Sequence, residues 1–481
     1  MKIVRQLGAT VLVALALAAS AGRCGEPAPR AREGELRAVW IHSFGGVRDW
    51  DGEMKALKEA GFNAVFLNVC SVRAASYPSK VLRGSRQDRL RTALDACHKH
   101  GLELHAWRVC LKSFRRLQEA PQLQAEGRLM LKRDGTPYKD GAQVCPAHPK
   151  NVELEIAAMV EMAKNYPDLD GVHFDFIRFP ETNMACFCEQ CRTHFIERTG
   201  LKNVNWPDDV DKEKKGKHYD KWLAMRESII TNIVRQASGK VREVNPDIKV
   251  SAAVFRHLHY CKLHVGQNWL DWIEKGYVDF VCPMNYVTDL KRLKREVRSQ
   301  RDSIGDRAPF YSGVTAGEAV YNGPKGASAR RPEALAERIR AVREAGADGF
   351  VVFSYRSNCP MRKALPHLSE TVTKGDTYTD HTAPEMRFEL KVAGGRVKGR
   401  VVCTTKVAGS RKVVRIELAP VIETAGGEKK TELAKQSITA ETAIPVDAPL
   451  KGACRVAVYG TVHYEDGSKR RFARRSAVLG D

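Results

Sequence analysis

NVELEIAAMVEMAKNYPDLDGVHFDFIRF, residues 151–179, joins a helical segment to a short apolar strand, and this unit recurs along the chain. Apolar residues fall at helical spacing up to Asn165, and Pro167 ends that pattern. The run that follows is rich in Val, Phe and Ile, which favours a buried strand. We therefore predict a helix followed by a strand within residues 170–179.

Seven further predicted strands flank this unit, each joined to the next through a helix or a loop that contains one. They are ELRAVWIHSF (35–44), FNAVFLNVC (62–70), LELHAWRVC (102–110), IKVSAAVF (248–255), YVDFVCPMNY (277–286), PFYSGVT (309–315) and DGFVVFSYR (348–356). Strands that return through crossover helices must be parallel. Eight such units predict an α/β fold, a (β/α)8 TIM barrel over residues 35–372. A doubly wound open sheet is the alternative, but no Gly-rich phosphate loop follows the first strand.

The C-terminal region has a different pattern. Segments such as PEMRFELKVAGGRVKGRVVCTTK and RKVVRIELAPVIE alternate apolar and polar residues with period two, and Gly-rich turns separate them. This pattern predicts a small antiparallel β-sandwich over residues 385–481, similar to immunoglobulin or fibronectin modules. Residues 373–384 form the predicted linker.

The N-terminal residues predict export. Residues 1–21 combine Lys2 and Arg5, an apolar run and small residues, which is typical of a signal peptide. Residues 22–34 form a spacer, in which Arg23 disfavours lipid attachment at Cys24. We expect a periplasmic or extracellular protein with no transmembrane segment, because no apolar run is long enough to span a bilayer.

The formal charge of +22 leaves three interpretations open: nucleic acid, an anionic envelope polymer, or a solvated basic surface. Even KRRFARR (469–475) matches no nucleic-acid-binding motif. We therefore expect no nucleic-acid partner and favour a solvated basic face.

Polar and aromatic residues recur where the predicted strands end, at the face that carries the active site in barrel enzymes. Alternation places His173 and Asp175 on the inner face of the fourth strand. A carboxylate there is costly unless it is paired or serves a function, which makes Asp175 the leading catalytic candidate. A structural ion pair with Arg178 is the alternative for Asp175. The candidate binding residues are His42, Asn68, His105, Trp107, His173, Arg178, Asn285, Tyr286, Tyr355 and Arg356. Core packing is the alternative for Trp107, Tyr286 and Tyr355. For the histidines, the alternative is a hydrogen bond to the carboxylate or a place in the lining of a subsite.

The ordered blocks ELRAVWIHSF, GFNAVFLNVCSVRAASYPSK, GLELHAWRV, DGVHFDFIRFP and GQNWLDWIEKGYVDFVCPMNY resemble the glycosyl-hydrolase-like 10 family of bacterial barrel proteins. The resemblance covers most of residues 35–360. It implies an exported TIM barrel that hydrolyses glycosidic bonds in a polysaccharide or envelope glycan, with Asp175 as the leading catalytic residue. The chain departs from the family at Asn268 and in SVRAASYPSK, where many members carry an acidic residue.

Glycoside hydrolysis needs two carboxyl groups. We expect Asp175 to be the nucleophile or base, because an open carboxylate beside an arginine stays ionised. The candidates for the second group are Asp289 and Glu318, followed by Glu181. No cofactor is required for this reaction. The alternative function is a non-catalytic barrel that binds glycans of the cell envelope through its aromatic side chains.

The cysteines of the segment ACFCEQC follow the fourth strand closely. Cys186, Cys188 and Cys191 are candidate ligands of a structural, tetrahedral zinc, with His194 or a distant cysteine such as Cys145 as the fourth ligand. A disulfide or free thiols are the alternatives.

Overall fold

A computed structural model describes most of the chain between residues 35 and 475. The described ranges are 35–112, 120–138, 143–180, 185–305, 307–316, 332–357, 359, 361–362, 365–366, 368, 372, 386–393, 396–403, 413–424, 430–433, 435–449, 454–464 and 469–475. The predicted signal peptide, the spacer with Cys24, and the linker 373–384 lie outside these residues.

Eight parallel strands form the first sheet. They are β1 (Leu36–Ile41), β2 (Ala64–Cys70), β3 (Glu103–Val109), β4 (Gly171–Asp175), β5 (Lys249–Val254), β6 (Phe280–Pro283), β7 (Ser312–Thr315) and β8 (Gly349–Tyr355). The strand order is β6-β5-β4-β3-β2-β1-β8-β7. Two parallel bridges, Val281 to Phe310 and Met284 to Gly313, join the two ends of this order. The sheet is thus a nearly closed barrel, and the predicted (β/α)8 fold is confirmed.

Helices cover the outside of the barrel. They are α1 (Trp50–Glu59), α2 (Arg89–Lys99), α3 (Ala120–Ala125), α4 (Pro149–Asn165), α5 (Glu189–Thr199), α6 (Tyr219–Val244), α7 (Leu258–Tyr260), α8 (Trp269–Glu274), α9 (Leu290–Ile304) and α10 (Pro332–Glu344). Their apolar faces pack on the outward side chains of the strands, such as Val39, Leu67, Val172 and Phe174. Since both faces of the strands are covered, their sequences are almost continuously apolar.

The barrel interior is a second core, rich in aromatic side chains. It contains Trp40, Phe66, Trp107, Phe280 and Tyr311, with Phe176, Met284, Tyr286 and Phe353 packed against it. The interior of most TIM barrels is filled by layers of branched aliphatic side chains such as Val, Ile and Leu. Here aromatic side chains extend to the carboxyl ends of the strands. We call this end of the barrel its mouth.

The C-terminal region forms two antiparallel sheets, as predicted. Strands β9 (Met386–Ala393), β10 (Arg396–Cys403) and β14 (Thr442–Pro449) make one of them. Strands β11 (Val413–Thr424), β12 (Lys430–Glu432), β13 (Gln436–Ile438), β15 (Cys454–Tyr464) and β16 (Lys469–Arg475) make the other. Buried residues of both sheets, among them Val401, Ile444, Leu418 and Val458, share one core. This packing of two sheets is a sandwich.

Among the described residues, the structure contains no helix with the length and apolar character needed to cross a membrane.

Candidate active site

Strand β4 ends in a turn that holds Asp175 at the mouth of the barrel. His173 and Asp175 lie on the inner side of the strand, whereas Val172 and Phe174 pack outward. The chain then turns at Phe176, which has a φ of 53°, a left-handed conformation that bulky residues rarely adopt. This turn lets the Phe176 N–H donate a hydrogen bond of 2.7 Å to Asp175 Oδ1. Such strained backbone is typical of functional sites.

Arg178 lies against the same carboxylate. Its Nη1 is 3.4 Å from Asp175 Oδ1, and each of the two residues is only 5% exposed. The guanidinium carbon lies 4.2 Å from the ring centre of Phe176 and 4.5 Å from that of Phe255. Aromatic faces on both sides fix the cation in place. Asp175 thus forms the ion pair with Arg178 that the sequence analysis gave as the alternative to a catalytic role.

The environment of Asp175 differs from the open carboxylate that the sequence predicted. Burial raises its pKa, and the charge of Arg178, the Phe176 N–H and the charge of His42 oppose this rise. The raised pKa means that the loss of hydration outweighs these favourable contacts. Asp175 is thus better suited to hold a proton than the sequence alone indicated.

An aromatic wall lines the mouth beside Asp175. The ring centre of His42 lies 5.3 Å from that of Trp107 and 4.9 Å from that of Phe353. Tyr286 packs on Phe353 with ring centres 5.1 Å apart. Desolvation lowers the pKa of His42, the charge of Asp175 raises it, and the exposed Arg356 lowers it further. The predicted binding residues His42, Trp107, Tyr286 and Arg356 therefore do come together.

His105 and His173 lie deeper, inside the barrel and with no exposed surface. His173 Nδ1 is 2.8 Å from Ser251 Oγ, and its Nε2 accepts a bond of 3.4 Å from Trp40 Nε1. His105 stacks on Phe66 with ring centres 4.4 Å apart. Burial lowers the pKa of His173 well below its usual value. The two histidines therefore pack inside the barrel beneath the site, with no surface at the mouth.

Two predicted binding residues point away from the mouth. Buried Asn285 donates hydrogen bonds to Gln300 Oε1 at 2.9 Å and Ser312 Oγ at 3.0 Å. Tyr355 is buried in the outer core, and its hydroxyl donates to Glu53 of α1. Trp40 of β1 pairs with Phe353 of β8, but the register then shifts by one residue. Ile41 therefore pairs with Tyr355 rather than with Ser354. This shift reverses the alternation and turns Tyr355 outward, which corrects its predicted position at the mouth.

The sequence missed the two phenylalanines of the site. Phe353 faces the mouth in place of Tyr355, and Phe176 lies half-buried beneath the Lys112 ammonium, 4.5 Å from the ring centre to Nζ. The signal for Phe176 was present in the sequence, since it directly follows the leading catalytic residue. Asn68 is half-buried on β2 and donates a long bond of 3.5 Å to the Trp107 carbonyl.

The candidates for the second carboxylate have different positions. Asp289 is exposed and begins α9, where its Oδ1 accepts a bond of 2.7 Å from the Arg292 N–H. That contact is a helix N-cap. Glu318, three residues beyond the end of β7, and Glu181, in the loop after β4, lie outside the described residues. The groups that act most strongly on the charge of Asp175 include no other carboxylate among the residues described.

Four cysteines meet in the two loops that follow β3 and β4. Cys145, Cys186, Cys188 and Cys191 are all buried, and their sulfurs lie within 4.8 Å of one another. Of the two fourth members that the sequence suggested, Cys145 joins the group and His194 does not. The predicted cluster of three cysteines therefore becomes a four-cysteine group.

A nearly closed parallel barrel with a carboxylate held among aromatic residues at its mouth defines a TIM-barrel protein with a candidate site at the face where barrel enzymes carry theirs. A family model, Glycosyl hydrolase-like 10, matches residues 35–325. The chain belongs to this family, which confirms the resemblance seen in the sequence.

Relatives with known names match over part of their length. The chain is 22% identical to glycosyl hydrolase YngK of Bacillus subtilis over 300 residues, 52% of this chain and 54% of YngK. It is 22% identical to glycosyl hydrolase DigH of Escherichia coli K12 over 264 residues, 48% of this chain and 56% of DigH. The chain thus spans about half the length of these relatives.

Solved structures share the fold. A β-galactosidase from Bacillus circulans sp. alkalophilus aligns with a TM-score of 0.51 and 16% identity, covering 70% of this chain and 56% of that one. A β-galactosidase from Rahnella sp. R3 aligns with a TM-score of 0.51 and 13% identity, covering 72% and 57%. At these identities the likeness concerns the fold alone.

Proposed function

We propose that this protein is a glycoside hydrolase that cleaves O-glycosidic bonds in a polysaccharide. The observation that carries the proposal is Asp175: a buried carboxyl group at the end of β4, bound by Arg178 and bordered by an aromatic wall. Family membership supports the same reaction class. Sugar rings stack on aromatic faces, and the half-buried rings of Tyr286, Phe353 and Phe176 offer such faces beside the carboxyl group.

In this proposal Asp175 is the proton donor, a different role from the nucleophile or base that the sequence suggested. A pair of catalytic carboxyl groups divides its work by environment, and the member with the raised pKa protonates the leaving oxygen. Burial raises the pKa of Asp175. The Phe176 N–H and Arg178 both contact Oδ1, which leaves Oδ2 to carry the proton toward the glycosidic oxygen.

We assign the second carboxyl group to Glu318. Strand β7 is three positions from β4 around the eight-stranded barrel, through β5 and β6, so the ends of β4 and β7 lie on nearly opposite sides of the mouth. Glu318 follows β7 by three residues. Asp289 is the weaker candidate because it already caps α9. Neither carboxyl role needs a metal ion or an organic cofactor.

A leaving-group comparison tests the role of Asp175. Asn at this position can still accept the Phe176 N–H, so the fold should persist. We expect Asp175→Asn to lower kcat/KM on a polysaccharide by about 10²- to 10⁴-fold. An aryl glycoside with an acidic phenol needs no protonation, so its rate of bond cleavage should fall far less.

Asp49→Asn is the matched control, since the exposed Asp49 caps α1 and Asn caps helices as well as Asp does. We expect it to keep the wild-type rate on both substrates. Equal and large losses on both substrates for Asp175→Asn would show that Asp175 is not the proton donor. Unchanged rates would remove it from the reaction.

A non-catalytic glycan-binding barrel is the second candidate function. It is favoured because the groups that act most strongly on the charge of Asp175 include no second carboxylate among the residues described. Calorimetry with soluble glycans, combined with product analysis on the same samples, separates the two functions. Binding without product release by the wild-type protein would support the second one.

We also propose that the protein is exported and acts on an envelope glycan, on the strength of the signal-like residues 1–21. Expression in a bacterial host followed by N-terminal sequencing should yield a chain that begins at Gly22. A protein that stays in the cytoplasm with its first residues intact would refute export.

A further inference from the structure

The four-cysteine group unites two loops that are far apart in the sequence. Cys145 precedes α4, whereas Cys186, Cys188 and Cys191 lie between β4 and the first turn of α5. Cys145, Cys186 and Cys191 have no exposed surface, and Cys188 is 4% exposed. A group of four thiols that is almost completely buried has no role in the proposed hydrolysis, so it calls for a separate explanation.

The sulfur positions match one tetrahedral ion. Cys145 Sγ lies 3.5 Å from Cys188 Sγ and also 3.5 Å from Cys191 Sγ. All the sulfurs are within 4.8 Å of one another. Zinc–sulfur bonds of about 2.3 Å in a tetrahedron place the sulfurs about 3.8 Å apart. Disulfides would instead pair each sulfur with one partner at about 2.05 Å. Cys145 Sγ is equally distant from two other sulfurs, which fits shared binding of one metal ion better than a disulfide pair.

The surroundings of the group are suited to negative charge. Cys188 is the N-cap of α5, and Cys191 lies in the first turn of the same helix. The positive end of the helix dipole therefore faces the sulfurs. Such contacts favour thiolates, which are the form that binds a metal.

Arg226 supplies a buried positive charge beside the group. It is 6% exposed, and its charge interacts with Cys186 and Cys191. Its Nη2 donates to the His264 carbonyl at 3.0 Å, but its Nε has no hydrogen-bond partner within the described part of the chain. A buried guanidinium is costly without a counter-charge. Four thiolates around a divalent ion carry a net charge of −2, which would provide it.

We propose that Cys145, Cys186, Cys188 and Cys191 bind one zinc ion. Because all four ligands come from the protein and are buried, the site is closed and structural rather than catalytic. The ion fastens the loop after β3 to the loop after β4, the strand that ends at Asp175. Backbone contacts already join these loops: the Phe187 N–H donates to the Leu131 carbonyl at 2.9 Å, and the Tyr138 hydroxyl donates to the Ala185 carbonyl at 2.6 Å. The proposal is independent of the proposed hydrolysis.

Metal analysis of the whole protein tests the site directly. Protein purified without a metal-affinity step should contain one zinc per chain by inductively coupled plasma mass spectrometry. A mercurial reagent should release that zinc as it titrates the thiols. Absence of zinc would overturn the proposal, as would recovery of these cysteines as disulfides by peptide mapping. Iron in place of zinc would refute the assigned metal.

Paired variants place the ion. Cys145→Ala/Cys191→Ala removes two ligands and should reduce the content from one zinc per chain to none. Cys97→Ala/Cys282→Ala is the matched control, because both of these cysteines are also buried but lie outside the group, and it should keep its zinc. Zinc retained by the first variant would refute the site.

If the Cys145→Ala/Cys191→Ala variant does not fold, cobalt substitution of the wild-type protein still decides the question. Four thiolates around Co²⁺ give intense sulfur-to-metal charge-transfer bands together with the visible bands of a tetrahedral ion. A spectrum of octahedral Co²⁺ without charge transfer would overturn the proposal.

Discussion

Replacing Arg178 by Met should move the pH profile of the reaction to higher pH. The change removes the guanidinium whose Nη1 lies 3.4 Å from Asp175 Oδ1. Met keeps an apolar, flexible side chain between the rings of Phe176 and Phe255, where the guanidinium now lies. The variant therefore changes charge at the site more than it changes packing.

The magnitude follows from the geometry. Two unit charges 3.4 Å apart interact by about 5 kcal/mol at an effective dielectric constant of about 20. One pKa unit corresponds to about 1.4 kcal/mol. The upper limit of the pKa change at Asp175 on loss of Arg178 is therefore roughly 3 to 4 units. Arginine neighbours lower the pKa of an Asp by about 1–3 units in practice. Since Arg178 lowers the pKa of Asp175, its removal should raise that pKa by a similar amount.

The assay is kcat/KM against pH on a glycan substrate. A proton donor is active while protonated, so activity falls as the pH rises through its pKa. The alkaline limb should shift upward by about 1–3 pH units in Arg178→Met. Arg192→Met, which changes an exposed arginine paired with Glu189, should leave the profile unchanged. An alkaline limb that stays in place or moves downward would refute the assignment of Asp175 as the titrating donor.

Three further predictions concern stability. Glu155→Ala should lower the free energy of unfolding by about 3–5 kcal/mol, because it strips the fully buried Arg108 of a partner 2.7 Å away. Urea unfolding measures this, and a loss below about 1 kcal/mol would contradict it. Gly171→Ala should destabilise the barrel by about 1–3 kcal/mol, because the added Cβ would lie 2.1 Å from His105 Nδ1. A thermal midpoint equal to that of the wild type would be evidence against this clash. Burial lowers the pKa of His173, so below about pH 6.5 the unfolded chain binds a proton that the native state does not. The free energy of unfolding should therefore fall by up to about 1.4 kcal/mol per pH unit as the pH drops below about 6.5. The variant His173→Gln should show a weaker dependence on pH. An equal change of unfolding free energy with pH in both proteins would refute this prediction.

The predictable part of this protein was the part governed by local pattern. Each of the eight barrel strands lies within the segment that its apolar run predicted, and alternation correctly placed His173 and Asp175 on the inner side of β4. Alternation did not anticipate Tyr355, since the register shift between β1 and β8 arises from the pairing of strands at opposite ends of the barrel sequence. It also could not show that Asn285 turns toward Gln300 and Ser312.

The sequence by itself determined the order of helices and strands, and hence the barrel, because the spacing of apolar side chains is set within each segment. It also determined which residue types stand at the strand ends. Only the tertiary structure decided how deeply Asp175 is buried, which raises its pKa, and which cysteine completes the group around Cys188. Cys145 is 43 residues away from Cys188 in the chain. Burial and thiol proximity depend on loops that meet only when the barrel is formed, so no local pattern encodes them.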